Sequence, residues 1–159
     1  MRYIRTFTLI LGAISFIIVI GGAVYEHLAI VPVWTSAVPA SLSMMQGEYA
    51  IAPTRFWMPI HPVTLLLLVS GLLLNWRSGA RNFIIVALVG YVLVLLVTFL
   101  FFVPELMALT QTAYSLNVDP DLTRRAKNWE LYSLIRLCFL ILLAVVLLFG
   151  VAKVSEKEN

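Results

Sequence analysis

The residues best suited to chemistry are four ionisable side chains that interrupt long apolar stretches. Glu26, His61, Glu105 and Arg136 each lie near one end of such a stretch. Ionisable groups inside membrane segments are costly, so they usually face a protein interior or an aqueous cavity. A glutamate or a histidine can accept a proton, and a guanidinium can stabilise a developing oxyanion. The sequence therefore predicts a polar site at these residues, with Arg136 paired with Glu26 or Glu105.

Helical spacing connects each of these residues to a polar or small-residue seam. The four seams are Gly12, Ser15, Val19, Gly22 and Glu26; Trp57, His61, Thr64, Leu68, Gly71 and Asn75; Tyr91, Thr98 and Glu105; and Trp129, Ser133 and Arg136. Residues at such spacing share one face of a helix, and small residues allow helices to approach closely in lipid. We expect the seams to face inward and their polar ends to form a pocket open toward the outer leaflet.

The composition indicates which elements must position these residues. Of the 159 residues, 62% are hydrophobic and 12% are charged, and the mean hydropathy is +0.99. Soluble domains carry about 25% charged residues. Four apolar segments approach the roughly 20 residues needed to cross a bilayer, at 7–28, 59–76, 83–103 and 129–152. The prediction is an all-α integral membrane protein, a single domain over 1–159, built as an up-down bundle of four transmembrane helices.

Basic residues predict the orientation of this bundle. Cytoplasmic loops are enriched in lysine and arginine. With both termini in the cytoplasm, six basic residues are inside and four are outside, and we expect the cell (inner) membrane. The inner six are Arg2, Arg5, Arg77, Arg81, Lys153 and Lys157, and the outer four are Arg55, Arg124, Arg125 and Lys127. The segments 29–58 and 104–128 are then outer loops, and 153–159 is a cytoplasmic tail. The first loop contains a short interfacial helix within Pro39 to Gly47, and in the second a turn at 117–120 precedes a helix start near Asp121.

Other classes of site fit the sequence less well. A metal could take ligands from His27, His61, Glu26, Glu105 and Glu130, which would suit iron, zinc or manganese. The Glu-x-x-His motif of bundle di-iron proteins is absent. Haem would require both histidines to face inward at one depth, and the helical spacing does not support that arrangement. No cofactor is therefore expected. The single Cys138 excludes an internal disulfide and Cys-x-x-Cys chemistry. The basic residues do not form the concentrated face that a nucleic-acid binding site needs.

Short motifs at the helix ends carry a resemblance to a known family. They are Gly21-Gly22 through Tyr25-Glu26-His27 with Val31-Pro32, then Val103-Pro104 with Leu109, then Arg124-Arg125 with Trp129 and Arg136. Over essentially its whole length, the chain resembles the anthrone oxygenase-like family of small four-span membrane proteins, most of which have no assigned substrate. It departs from the family pattern where Glu105 follows Pro104, since Pro-Asn is common there.

The resemblance implies a cofactor-independent oxygenase of polycyclic anthrones. His61 or Glu26 would then abstract a proton and Arg136 would hold the oxyanion, while Tyr25, Trp57 and Trp129 would stack on a flat substrate beside Glu105.

A non-catalytic protein that binds a hydrophobic ligand or a partner also fits, because a salt-bridged bundle explains the same polar groups. The sequence leaves this choice open. The expected partner is membrane lipid, and a face with Leu65, Leu72 and Leu93 could pack against a second copy.

Overall fold

The structure is a computed structural model that describes the backbone of residues 2–156 and the side chains of residues 3–154. Within that range the secondary structure is helical, without strands. The elements in chain order are α1 (Arg2–Ala29), α2 (Val31–Trp34), a 3-10 helix (Ala40–Met45), α3 (Thr54–Leu74), α4 (Arg81–Val97), a π-helical turn (Thr98–Phe102), α5 (Val103–Thr110) and α6 (Pro120–Glu156).

Four helical stretches within residues 2–156 are long and apolar enough to cross a membrane. They are Tyr3–Trp34, Thr54–Leu74, Arg81–Thr110 and Pro120–Val154. The chain is therefore an all-helical, multi-pass membrane protein, consistent with a bundle of four membrane helices. This confirms the predicted fold class.

The helices extend beyond the segments predicted from hydropathy. Helix α6 begins at Pro120, which agrees with the predicted helix start near Asp121 and lies nine residues before the apolar segment 129–152. The Asp119 carboxylate accepts the backbone N–H groups of Asp121 and Leu122 at 2.8 and 3.1 Å. This is an N-cap followed by proline in the first turn, where its missing N–H has no cost. Helix α3 begins at Thr54 rather than 59. The 3-10 helix lies within Pro39 to Gly47, and α2 is an additional short helix. Of the predicted tail, residues 157–159 lie outside the described part of the chain.

The chain divides into two compact units, which are described separately. Unit 1 comprises Met1–Gly21, Thr54–Val94 and Cys138–Asn159, and unit 2 comprises Gly22–Pro53 and Leu95–Leu137.

Unit 1 is held together by close packing of its helices. Phe16, Leu68, Ile84 and Leu147 are buried in its core. A Cβ atom added to Gly90 would lie 2.6 Å from Leu143 Cδ2, so α4 and α6 approach closely at this point. Such approach maximises the dispersion contacts that hold helices together in lipid, where the hydrophobic effect between them is lost.

Unit 2 has an aromatic core. Trp34 and Trp129 pack edge to face with ring centres 5.4 Å apart, and Phe102 packs on Trp129 at 5.9 Å. Val38, Leu42 and Leu109 complete a cluster that is almost entirely buried. Residues of this core come from α2, the 3-10 helix and α5. These three short elements are therefore parts of the folded unit.

The predicted seams coincide with buried faces inside each unit. Ser15, Thr64, Asn75 and Tyr91 are buried in unit 1, and Trp129 and Ser133 are buried in unit 2. The expectation that these polar and aromatic residues face inward is confirmed for these positions.

Candidate functional site

The polar group of greatest chemical interest in unit 2 is formed around Arg136. Its Nη1 donates to Thr98 Oγ1 at 3.0 Å, and its Nη2 donates to Ser133 Oγ at 2.8 Å. Its Cζ lies 4.1 Å from the centre of the Phe102 ring, a cation–π contact. We call Arg136, Thr98, Ser133 and Phe102 the arginine cluster.

The π-helical turn positions two members of this cluster. The Val103 N–H donates to the Thr98 carbonyl, five residues back, which is the π pattern. Pro104 follows immediately and has no N–H to continue the helical ladder, so the helix is perturbed where Thr98 and Phe102 lie. Trp129 fixes the same turn from α6, since its Nε1–H donates to the Phe102 carbonyl at 2.9 Å.

The contacts of Arg136 with Thr98, Ser133 and Phe102 do not supply a negative charge. Both hydroxyls orient the guanidinium and neither carries a charge. Glu26, at the end of α1 in the same unit, exerts an electrostatic attraction on Arg136. Glu105 instead forms a bidentate ion pair with Arg125, with Arg125 Nε to Oε1 and Arg125 Nη2 to Oε2 both at 2.8 Å. Of the two predicted partners of Arg136, the structure therefore assigns Glu105 to a different arginine.

A second polar group in unit 2 contains His27 and Glu130, which interact electrostatically. The His27 Nδ1 lies 2.9 Å from the Ala23 carbonyl oxygen, so this nitrogen carries the proton and donates it. The Glu130 carboxylate accepts from Thr35 Oγ1 at 2.7 Å and from Lys127 Nζ at 2.9 Å. Within the described part of the chain, no group of three or more His, Cys, Asp or Glu side chains is placed to hold a metal ion.

His61 lies in unit 1, where its ring is oriented by two aromatic residues. Its Nδ1 is 2.7 Å from the Tyr91 hydroxyl, and its ring stacks on Trp57 with centres 5.3 Å apart. Near them, Ser15 Oγ and Thr64 Oγ1 are 2.7 Å apart, and Thr64 donates to the Ile60 carbonyl at 2.8 Å. Because the single Thr64 proton goes to Ile60, Ser15 must be the donor to Thr64.

The predicted site residues are thus distributed over both units. Glu26, Glu105, Trp129 and Arg136 belong to unit 2, and His61 and Trp57 belong to unit 1. Tyr25 in unit 2 is 63% exposed. Trp129 is buried with its indole against Trp34 and Phe102, so its ring contributes to the core of the unit.

Sequence reasoning missed Phe102, Thr35 and Lys127. Phe102 follows Thr98 by four residues and precedes Pro104 by two, so its helical spacing to a seam residue was a usable signal. The contacts of Thr35 and Lys127 with Glu130 have a weaker signal, since only Lys127 has a helical spacing of three residues to Glu130.

Comparisons of the chain with protein-family models, with curated proteins and with solved structures give no match.

Proposed function

We propose that the arginine cluster binds a hydrophobic small molecule through a negatively charged oxygen, and that the protein acts as a cofactor-independent oxygenase on an enolisable aromatic ketone. The observation that carries the proposal is the environment of Arg136: its guanidinium is set in an apolar helix and held by two neutral hydroxyls and a phenyl ring. These contacts orient a positive charge without neutralising it. Removal from water strengthens its attraction for an oxyanion.

Glu26 is the proposed base. This role is supported by the electrostatic attraction between Glu26 and Arg136 and by the presence of both residues in unit 2. The reaction on anthrone begins when Glu26 takes a proton from the methylene carbon of the central ring, opposite the carbonyl, leaving an enolate whose oxygen is held by Arg136. The enolate transfers an electron to O2, and the two radicals combine to a peroxide. The peroxide takes the proton back from Glu26 and loses water. One anthrone and one O2 thus give one anthraquinone and one water.

The same proposal includes a topology. Both termini face the cytoplasm of a cell (inner) membrane, and the arginine cluster lies toward the outer leaflet. Its support is the distribution of basic residues over short segments near the helix ends.

Binding is tested with anthrone as the probe, added to the full chain in detergent at neutral pH. The enolate and the ketone have different absorption spectra, so stabilisation of the enolate is measured directly. Wild type is expected to raise the enolate fraction, and Arg136→Met is expected to abolish the increase. The matched control is Arg124→Met, which removes an exposed arginine from the same helix, where it pairs with Asp121. If Arg136→Met and Arg124→Met both behave like wild type, the proposal is wrong.

Oxygen uptake separates catalysis from binding. Glu26→Gln is expected to retain enolate binding and to lose at least about a hundredfold in anthrone-dependent O2 uptake, as expected for loss of a general base.

The competing function is ligand binding without chemistry. Ligand binding without chemistry is favoured by the Glu105–Arg125 ion pair, because these two side chains pair with each other and so have a purely structural role. Enolate stabilisation with no O2 uptake above the uncatalysed rate would establish that alternative.

A further inference from the structure

Three polar atoms at one end of unit 1 are buried without a hydrogen-bond partner. They are Arg5 Nε, Thr6 Oγ1 and Asn75 Oδ1. Asn75 lies just after α3 and is fully buried, and its Nδ2 donates to the Arg5 carbonyl at 3.3 Å, which brings the three residues together. Nδ2 also donates to the Gly71 carbonyl at 2.9 Å. Because both neighbours are acceptors, the amide orientation is fixed and Oδ1 is the atom that lacks a donor.

Burying polar atoms without partners costs free energy, so such a group indicates a missing partner. The three atoms have different requirements. Arg5 Nε is a cationic donor that needs an acceptor, Asn75 Oδ1 is an acceptor that needs a donor, and the Thr6 hydroxyl can do either. A partner that carries both an anionic oxygen and a hydroxyl group meets all three requirements.

The surrounding charges favour an anion. The start of α1 and the turn that follows α3 carry Arg5, Arg77 and Arg81, and residues 3–20 and 70–90 include no acidic residue. Arg81 lies over the Trp76 ring at 5.6 Å, at the turn that follows Asn75. The Lys153 side chain packs near the same turn, since a Cβ added to Gly79 would lie 3.4 Å from its Cγ. Basic groups at a membrane surface attract anionic lipid headgroups.

An apolar groove lies beside these polar atoms. It runs along the first turns of α1, has a volume of about 440 Å³ and is lined by Tyr3, Ile4, Thr6, Phe7 and Ile10. Thr6 lines the groove and also belongs to the polar group, so the groove is continuous with it. A ligand with a charged head and a hydrocarbon tail would place each part against a surface of matching polarity.

We propose that this end of unit 1 is a binding site for an anionic phospholipid whose headgroup carries a hydroxyl, as in phosphatidylglycerol. Its phosphate accepts from Arg5 and Thr6, its headgroup hydroxyl donates to Asn75, and one acyl chain lies in the groove. Rotation of the long, partly exposed Arg5 side chain opens the polar atoms to the headgroup. The site lies in unit 1 and does not depend on the proposed function of the arginine cluster.

The test measures lipid binding to the delipidated full chain by native mass spectrometry. Phosphatidylglycerol, phosphatidic acid and phosphatidylcholine with the same acyl chains are added separately. Phosphatidylglycerol is expected to bind most tightly, because phosphatidic acid lacks the headgroup hydroxyl and phosphatidylcholine lacks net negative charge. Equal binding of all three lipids contradicts the site. Equal binding of phosphatidylglycerol and phosphatidic acid contradicts the contact with Asn75. Displacement of the lipid by soluble glycerol phosphate at similar concentration contradicts the role of the groove.

Variants locate the site. Arg5→Gln and Thr6→Val are expected to weaken phosphatidylglycerol binding, Arg5→Gln by about tenfold or more, the usual effect of losing one hydrogen bond to a charged group. The matched control is Arg55→Gln, which also removes one positive charge from unit 1. Arg55 lies at the start of α3, 20 residues before Asn75, and should retain wild-type binding. Equal losses in Arg5→Gln and Arg55→Gln would show only general charge attraction and would overturn the proposal. A folded Thr6→Val protein with unchanged binding would remove Thr6 from the site.

Discussion

The guanidinium of Arg136 lies 4.1 Å from the centre of the Phe102 ring, and the carbonyl of Phe102 accepts a hydrogen bond from the Trp129 indole. One residue in a π-helical turn therefore connects the partly buried charge of Arg136 to the aromatic core of unit 2. Its ring contacts the arginine and its backbone is held by α6. Any change that moves this turn should alter both the stability of the unit and the position of the guanidinium.

Trp129→Phe tests this connection by removing the indole N–H while keeping an aromatic ring. The Phe102 carbonyl then loses its side-chain donor in a buried environment. We expect the free energy of unfolding to fall by about 1–3 kcal/mol, the usual cost of leaving a buried polar group unpaired. The measurement is unfolding in detergent followed by far-UV circular dichroism. Trp76→Phe is the control, because Trp76 is half exposed and should change stability by less than about 0.5 kcal/mol. Equal effects of the two substitutions would contradict the role of the indole hydrogen bond.

The Ser15–Thr64 pair in unit 1 is expected to show coupling between its two hydroxyls. Thr64→Val keeps the shape of the side chain but leaves the buried Ser15 hydroxyl without its acceptor. Hydrogen bonds between membrane helices average about 0.6 kcal/mol and reach about 1.7 kcal/mol. Each single variant, Thr64→Val or Ser15→Ala, should therefore lose up to that amount. The double variant should lose less than the sum of the two losses. Additive losses in this double-mutant cycle would mean that the hydroxyls do not stabilise each other.

The seams were predictable because membrane helices present one face to other helices over many turns. Ser15, Thr64, Tyr91 and Ser133 were placed on inward faces by spacing alone, and all four are buried. The partners of the charges were less predictable. Glu105 pairs with Arg125, which lies 20 residues away at the start of α6, and that pairing depends on how α6 extends N-terminally from an Asp119 cap. Hydropathy ends where polar residues begin, so it cannot report helical turns outside the apolar segment.

The Glu105–Arg125 ion pair should contribute little to stability despite its good geometry. The Arg125 side chain is about half exposed, so water screens the charges. Exposed pairs contribute about 0–1 kcal/mol. Arg125→Gln should therefore reduce the free energy of unfolding by less than about 1 kcal/mol, and 0.5 M salt should shrink the difference from wild type. A loss of 3 kcal/mol or more, insensitive to salt, would instead indicate that the pair is buried when the protein is in its membrane.

Gly90 tests how closely α4 and α6 pack in unit 1. A Cβ at this position would lie 2.6 Å from Leu143 Cδ2 and 3.3 Å from Cγ, so Leu143 must move if alanine is introduced. Overpacking a core costs about 1–3 kcal/mol, although alanine favours a helix over glycine by about 1 kcal/mol. The net loss for Gly90→Ala should therefore lie between about 0 and 2 kcal/mol in detergent unfolding, since the helix propensity offsets about 1 kcal/mol of the overpacking. Gly21→Ala is the matched control. Among the described residues, no atom outside the adjacent backbone of its own helix lies within 4 Å of the added Cβ, so the substitution should be neutral or slightly stabilising. Leu143→Ala shortens the opposing side chain and separates steric conflict from other causes. This substitution has its own cavity cost, but adding Gly90→Ala to it should not destabilise the protein further. If Gly90→Ala costs as much in the Leu143→Ala background as in wild type, close packing at this contact is not what requires the glycine.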